Sequence, residues 1–279
     1  MAQFAPNGAN WAHLSYAIKY FLQGDIKASK KKLQRYKVLD EAGKTKNLTE
    51  KNQTFCNAYS IFINHLIKKS PPDLLLNENK IYHIGESHCL SYAHHNFTTE
   101  CQTFRISPKI VFGAKAYHFS KPQENAFKAI TMHNLDTIPN NSLVFISIGE
   151  IDCRINEGFI PASRKTGILL AKLIQKTVIG YLNWFLDANV NNNHRYKFFN
   201  VPAPAYMKEC TLSANQDAAN VVHLFNDTLN KALENYSFGL IDVFRPTRAE
   251  NGFSNNLYHC DGIHLDSRIL GFIQDQINQ

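Results

Sequence analysis

Nowhere does the sequence hold an apolar run approaching the ~18 residues that a membrane-spanning helix needs, so no transmembrane segment is expected. Met1 to Asn10 carry neither the basic nor the apolar stretch of a secretory leader, and the expected location is the cytoplasm. The six cysteines (Cys56, Cys89, Cys101, Cys153, Cys210 and Cys260) include no CxxC pair. They are also too sparse for a disulfide scaffold, so reduced, buried thiols are expected. GxGxxG, P-loop and HExxH motifs are absent, which leaves dinucleotide, nucleotide and zincin chemistry without support. The spacing of Cys89, His94, His95 and Cys101 fits no common zinc pattern. Neither a cofactor nor a metal is expected.

What is present describes an ordinary globular protein: 44% hydrophobic and 19% charged residues among 279, outside the disordered range. The net charge of +7 is unevenly placed. Residues 1–79 hold 12 Lys/Arg against 6 Asp/Glu, whereas residues 80–279 hold 18 against 17. The basic cluster Lys27, Lys30, Lys31, Lys32, Arg35 and Lys37 can be a solvated helix face or can meet a protein partner or an acidic surface. No nucleic-acid signature accompanies it.

Periodicity divides the chain in the same place. From Trp11 to Lys69 apolar residues recur at helical steps, as in Leu14, Ala17, Ile18, Phe21 and Leu22. Gly24-Asp25 breaks the first helix, a second is expected over Ile26 to Leu39, and a third over Leu48 to Lys69 before Ser70-Pro71-Pro72. This is a helical N-terminal module, 1–79. Beyond it, short apolar runs at Ile81–Ile84, Val144–Ile148, Lys197–Val201 and Leu240–Phe244 alternate with helical stretches at Ile168 to Leu186 and Ala218 to Leu233. Such alternation indicates an α/β domain, 80–279, with a parallel sheet covered on both faces. In these sheets chemistry sits at the C-terminal ends of strands.

Three blocks fall at such places. Gly85-Glu86-Ser87-His88 follows the first strand and can offer a hydroxyl for attack and an amide for oxyanion binding. A serine there is equally a common helix N-cap, and His88 reads as a packed histidine. Gly149-Glu150-Ile151-Asp152-Cys153-Arg154 follows the most hydrophobic strand; its buried charges either pair into a structural network or contact substrate. In Asp261-Gly262-Ile263-His264 a carboxylate three residues before an imidazole can hold its Nδ1 side and leave Nε2 free as a base. Asp261 capping the last helix is the plainer alternative.

Together the three blocks resemble those of the SGNH (GDSL-type) hydrolase family, over roughly residues 80–279. The resemblance implies a three-layer α/β/α sandwich with a parallel sheet of about five strands, and metal-free cleavage or transfer of acyl groups. Carried over residue by residue, it implies Ser87 as nucleophile, Asp261 as orienting acid and His264 as general base. The amides of Ser87 and Gly113 become the oxyanion donors, with Glu150, Asp152 and Arg154 as substrate-binding or supporting residues. One departure stands out. The family's third block is Gly-x-Asn-Asp, and Ile151 occupies the position of the oxyanion-donating Asn. Losing such a donor costs ~3–4 kcal/mol in the transition state. Arg154 or a nearby amide replaces it, catalysis is slow, or the site has drifted.

The implied activity is serine-dependent ester hydrolysis through an acyl-enzyme, releasing a small acyl group such as acetyl from a carbohydrate or similar ester. Transfer to a polysaccharide by the same triad is the alternative within enzymes; a non-catalytic glycan-binding or scaffold protein with a relic triad is the alternative outside them. Tyr92, Tyr117, Phe119 and Tyr258 lie near the blocks in sequence and are candidates to stack on a sugar.

Overall fold

A computed structural model describes residues 9–42, 49–69, 79–98 and 102–277. The chain forms two compact units, Met1–Leu76 and Asn77–Gln279. The first holds helices α1 (Ala9–Leu22), α2 (Ile26–Glu41) and α3 (Glu50–Lys69). Asp25 starts α2 by accepting the Ala28 amide at 2.8 Å, which satisfies one of the orphan donors of a helix start. Leu14, Ala17, Ile18 and Phe21 are buried on α1, Leu33 and Tyr36 on α2, and Cys56, Phe62, Ile63 and Leu66 on α3. Ser29 of α2 donates its hydroxyl to the Ala17 carbonyl of α1 at 2.7 Å. Lys27, Lys30, Lys31 and Arg35 lie on the exposed side of α2, and Lys32 and Lys37 are half-buried.

The second unit is built on strands β1 (Lys80–Gly85), β2 (Asn96–Thr98), β3 (Thr103–Ile110), β4 (Leu143–Ser147), β5 (Arg195–Phe199) and β6 (Gly239–Ile241). They form one sheet in the order β2-β3-β1-β4-β5-β6. All neighbours are parallel except β2 and β3. Five parallel strands with an antiparallel edge strand thus stand where a parallel sheet of about five is expected.

Side-chain alternation explains the layers. Along β4, Val144 and Ile146 point to one core, while Leu143 and Phe145 point to another. Tyr196 and Phe198 of β5 join the first core and Phe199 the second. The first core is covered by α4 (Ala116–Phe119), α5 (Ala126–Asp136), α6 (Glu150–Cys153), α7 (Phe159–Thr166), α8 (Leu170–Ala188) and α9 (Leu212–Leu233), through residues such as Phe119, Leu135, Phe159, Tyr181 and Phe225. The second is covered by Tyr92 and by Ile273 of the C-terminal helix, Leu270–Ile277. An α/β/α sandwich results, heavier on one face. No helix among the described residues is long and apolar enough to cross a membrane.

Two strands carry no sequence signal of the expected kind. In β3 (TFRISPKI) only Ile106 and Pro108 are buried. β2 pairs only with Thr103–Arg105 of β3, after which the Ile106 amide donates to the His95 carbonyl at 3.1 Å and the His94 amide to the Ile106 carbonyl at 2.9 Å. On the other side, the Val111 amide donates to the Gly85 carbonyl at 2.7 Å. The chain passes from β1 to β3 on one flank and then to β4 on the other, so the C-terminal end of β1 is the switch point of the sheet. Ligands of open α/β sheets bind at such a point.

Candidate active site

Ser87 is the second residue beyond the end of β1. The strand can close there because Gly85 lies so near the backbone and side chain of Ser147 on β4 that a Cβ would overlap both. Glu86, still extended, caps the one-turn 3-10 helix Ser87–Leu90 by accepting the His88 amide at 3.2 Å. Ser87 is 6% exposed, and its hydroxyl donates to Glu86 Oε2 at 2.8 Å.

His264 reaches the same hydroxyl from 177 residues away: its Nε2 lies 2.8 Å from Ser87 Oγ. It sits on a loop pinned by the His259–Leu265 bridge and by the Cys260 amide donating to the His264 carbonyl at 2.9 Å. Asp261 does two things there. Its Oδ1 accepts the amides of Ile263 (2.8 Å) and His264 (2.6 Å), which builds the turn. Its Oδ2 accepts from His264 Nδ1 at 2.7 Å, which fixes the imidazole with Nε2 toward the serine. Burial raises the Asp261 pKa, but hydrogen bonds and charge from His264 outweigh it and hold the carboxyl well below the usual range.

The third block is positioned by β4 and splits into two functions. Asp152, on the short helix α6 (Glu150–Cys153), is buried and bonded to α4: it accepts the amides of Ala116 (2.7 Å) and Tyr117 (3.2 Å), capping that helix. Burial pushes its pKa up to about 7 against these bonds. Glu150 pairs with Arg154, whose Nε donates to both carboxylate oxygens at 3.0 Å and whose Nη2 donates to Oε2 at 2.7 Å. Arg154 Nη1 reaches Glu157 at 3.2 Å, so all three guanidinium nitrogens are held by carboxylates. Ile151 is buried. Gly113 lies in the turn after β3 with φ +68°, beyond the strand that flanks β1.

Gly158 locks this block in place, because a Cβ on it would overlap the main chain of Asp152. Gly158→Ala is expected to destabilise the protein by ~1–3 kcal/mol through overpacking, a melting-temperature fall of about 2–4 °C per kcal/mol for a unit of this size. A thermal melt unchanged within 1 °C, on the scale of that same ~2–4 °C increment, would contradict the close approach.

Two residues absent from the carried-over site prove central to its geometry. His88 donates from Nδ1 to Glu86 Oε1 at 2.8 Å and from Nε2 to the Ile263 carbonyl at 3.1 Å. Glu86 is 1% exposed. Burial alone would raise its pKa, yet the His88 charge and hydrogen bonds hold it at about 2. Burial alone would lower the pKa of His88, and Glu86 outweighs that and lifts it to about 9. The signal for this pair was the acid and imidazole flanking Ser87, but only the 3-10 turn brings residues 86 and 88 face to face.

A cleft opens beside the triad turn. Its apolar wall includes Val201, Pro202, Val222 and Ile263, and Glu150 and Arg154 supply charge. Of the aromatic candidates, Tyr92 and Phe119 are core residues, 2% and 1% exposed. Tyr117 is 40% exposed with the Lys121 ammonium over its ring, and Tyr258 packs edge-on against Phe272. Cys56, Cys89, Cys153, Cys210 and Cys260 are free thiols; Cys101 lies outside the described residues.

Glu86, His88 and Glu150 place ligand atoms within 4.8 Å of one another, the one such group of three among the described residues. They do not fit a cation well. Both His88 nitrogens already have acceptors and Glu150 is clamped by Arg154, so the imidazolium and the guanidinium supply the positive charge.

No family model and no curated protein matches the chain. Solved structures do resemble it. One is a GDSL-like lipase from Bacteroides thetaiotaomicron, with 13% identity, 72% of this chain and 87% of that chain covered, and a TM-score of 0.47. Another is a lipase/acylhydrolase from Enterococcus faecalis, with 9% identity, 72% and 93% covered, and a TM-score of 0.42. A third is an acetyl xylan esterase, with 13% identity, 71% and 97% covered, and a TM-score of 0.43. Independently of these, the five parallel strands, the two-faced helical cover and the blocks at the strand ends agree with the architecture that the SGNH resemblance implies.

Proposed function

We propose that this protein is a serine acyl hydrolase acting through an acyl-enzyme. The observation that carries the reading is the continuous array Ser87 Oγ–His264 Nε2 at 2.8 Å and His264 Nδ1–Asp261 Oδ2 at 2.7 Å. A base within hydrogen-bond reach of a hydroxyl, oriented in turn by an acid, is what activates a serine. His264 takes the Ser87 proton while Oγ bonds to the ester carbonyl carbon. The amides of Ser87 and Gly113 receive the oxyanion. Collapse breaks the bond to the alcohol, which leaves with the proton from His264. Water then bonds to the acyl carbon as His264 takes its proton; the bond to Ser87 Oγ breaks, the carboxylic acid leaves, and His264 returns the proton to the serine.

The surroundings favour a small acyl group. Ser87 and His264 are 6% and 7% exposed, which leaves little room around the reacting oxygen. The adjoining cleft offers an apolar wall for the carbon face of the alcohol, with the Glu150–Arg154 pair and Asn156 at its polar side, an arrangement compatible with a sugar. The test combines labelling with turnover. A fluorophosphonate is expected to add to Ser87 alone, read by peptide mass. Hydrolysis of p-nitrophenyl acetate is expected to exceed that of the octanoate at least tenfold in kcat/KM, about 1.4 kcal/mol of discrimination. Octanoate preference would overturn the small-acyl reading, and absence of labelling would overturn the nucleophile.

A further inference from the structure

Ser87 stands between two acid–imidazole pairs. On one side are Asp261 and His264; on the other Glu86 accepts the Ser87 proton at 2.8 Å and is itself bonded to His88. The two imidazoles lie 5.2 Å apart between centroids. The second pair differs from the first in one respect. Both ring nitrogens of His88 face oxygens that can only accept, the Glu86 carboxylate and the Ile263 carbonyl. An imidazole can donate from both nitrogens only as the cation. Ile263 immediately precedes His264, and Glu86 immediately precedes Ser87. The bridge therefore joins the two turns that must meet for catalysis.

We propose that His88 is a positioning residue: as an imidazolium bonded to Glu86 and to the Ile263 carbonyl, it fastens the Ser87 turn to the Asp261–His264 turn. The inference rests on the serine-nucleophile reading for its effect on rate, though the bridge itself does not. It also resolves a competition. Ser87 has one proton and two acceptors; a bare Glu86 carboxylate would hold that proton away from His264, and the His88 cation makes Glu86 a poor base. The charged and titratable groups facing His88 are Glu86 on its own turn, His83 on β1, Glu150 from the third block, and His259 and His264 on the C-terminal loop. The acids among them favour the cation. With its pKa raised to about 9, the ring is charged at neutral pH and loses the bridge as pH rises through that value.

The experiment follows His88 in the intact protein by NMR of its ring nitrogens, beside the pH dependence of Ser87 labelling by a fluorophosphonate. The ring is expected to stay doubly protonated at pH 7 and titrate near 9, with the labelling rate falling over the same interval. His88→Gln cannot carry the charge, and its labelling rate is expected to drop ~100-fold, the scale of a small misplacement of reacting groups, with this alkaline limb gone. In Glu86→Gln the ring is expected to titrate well below the wild-type value. A neutral His88 ring at pH 7 overturns the proposal, as does a folded His88→Gln protein that labels at the wild-type rate with the same limb. Should His88→Gln not fold, the ring titrations in wild type and Glu86→Gln still decide. A wild type that titrates as expected but leaves Ser87 unlabelled refutes the nucleophile and leaves the bridge standing.

Discussion

Ser87→Ala is expected to lower p-nitrophenyl acetate turnover by ~10⁴-fold or more, to the background of the buffer. The size of the effect follows from the site's construction. His264 Nε2 and Glu86 Oε2 converge on the same oxygen, and among the described residues that oxygen is the nucleophile they share. Removing it leaves an oriented base with nothing to deprotonate except water. Folding should be little affected, because Ser87 occupies the first position of a turn whose cap, Glu86, still holds the His88 amide. Comparable rates in the two proteins, well above background, would remove Ser87 from the mechanism. Equal near-zero rates in both, joined to absent labelling, would favour a relic site.

Asp261→Asn is expected to lower kcat by about 10⁴-fold, as loss of the orienting carboxylate does in other serine triads, while the melting temperature stays close to wild type. The asparagine carbonyl can still accept the Ile263 and His264 amides, so the turn survives. Its amide nitrogen then faces His264 Nδ1 where Oδ2 had been. It donates to that nitrogen, the imidazole proton moves to Nε2, and the base presents a hydrogen to Ser87 in place of a lone pair. Asp261→Ala should differ by losing the turn as well, lowering both activity and melting temperature. An Asp261→Asn enzyme within tenfold of wild type would mean that the tautomer is set by another group, since one tenfold step is only ~1.4 kcal/mol in the barrier.

The parts of this molecule legible in the sequence are those whose signal is local. β4 announces itself because all its residues are buried, β1 and β5 because their C-terminal ends are, and the helix over Ile26–Glu41 because its periodicity is unbroken; β6, with only Ile241 buried, covers just the start of the expected Leu240–Phe244 run. β3 is not legible: its half-buried, largely polar residues and Pro108 carry no strand pattern, and the sheet supplies partners on both sides. α9 starts at Leu212, before the expected Ala218, because Thr211 caps it by accepting the Ala214 amide at 3.2 Å. At the site, the blocks that bring Ser87, Asp261 and His264 together are legible because each is compact and lies at a strand or helix end. The separate duties of Asp152 and Arg154 were not, since Asp152 serves amides 35 and 36 residues away. Nor was the Glu86–His88 bridge, whose far end is a main-chain carbonyl with no sequence signature.

The proline in β3 has a consequence for association. Both outer strands of the sheet, β2 and β6, are three residues long, so neither offers much unpaired backbone. β3 runs on past β2, and there its outward groups would be a template for a foreign strand. Bonds on the inner side fall to Val111 and hence, by the period of two, to the odd-numbered residues, while Ile106 already spends its outward groups on His94 and His95. The next outward position is Pro108, which has no N–H to give. The one stretch of this sheet, among the described residues, long enough to recruit another chain edge to edge is thereby blunted, a guard against aggregation written into the same strand that flanks the nucleophile.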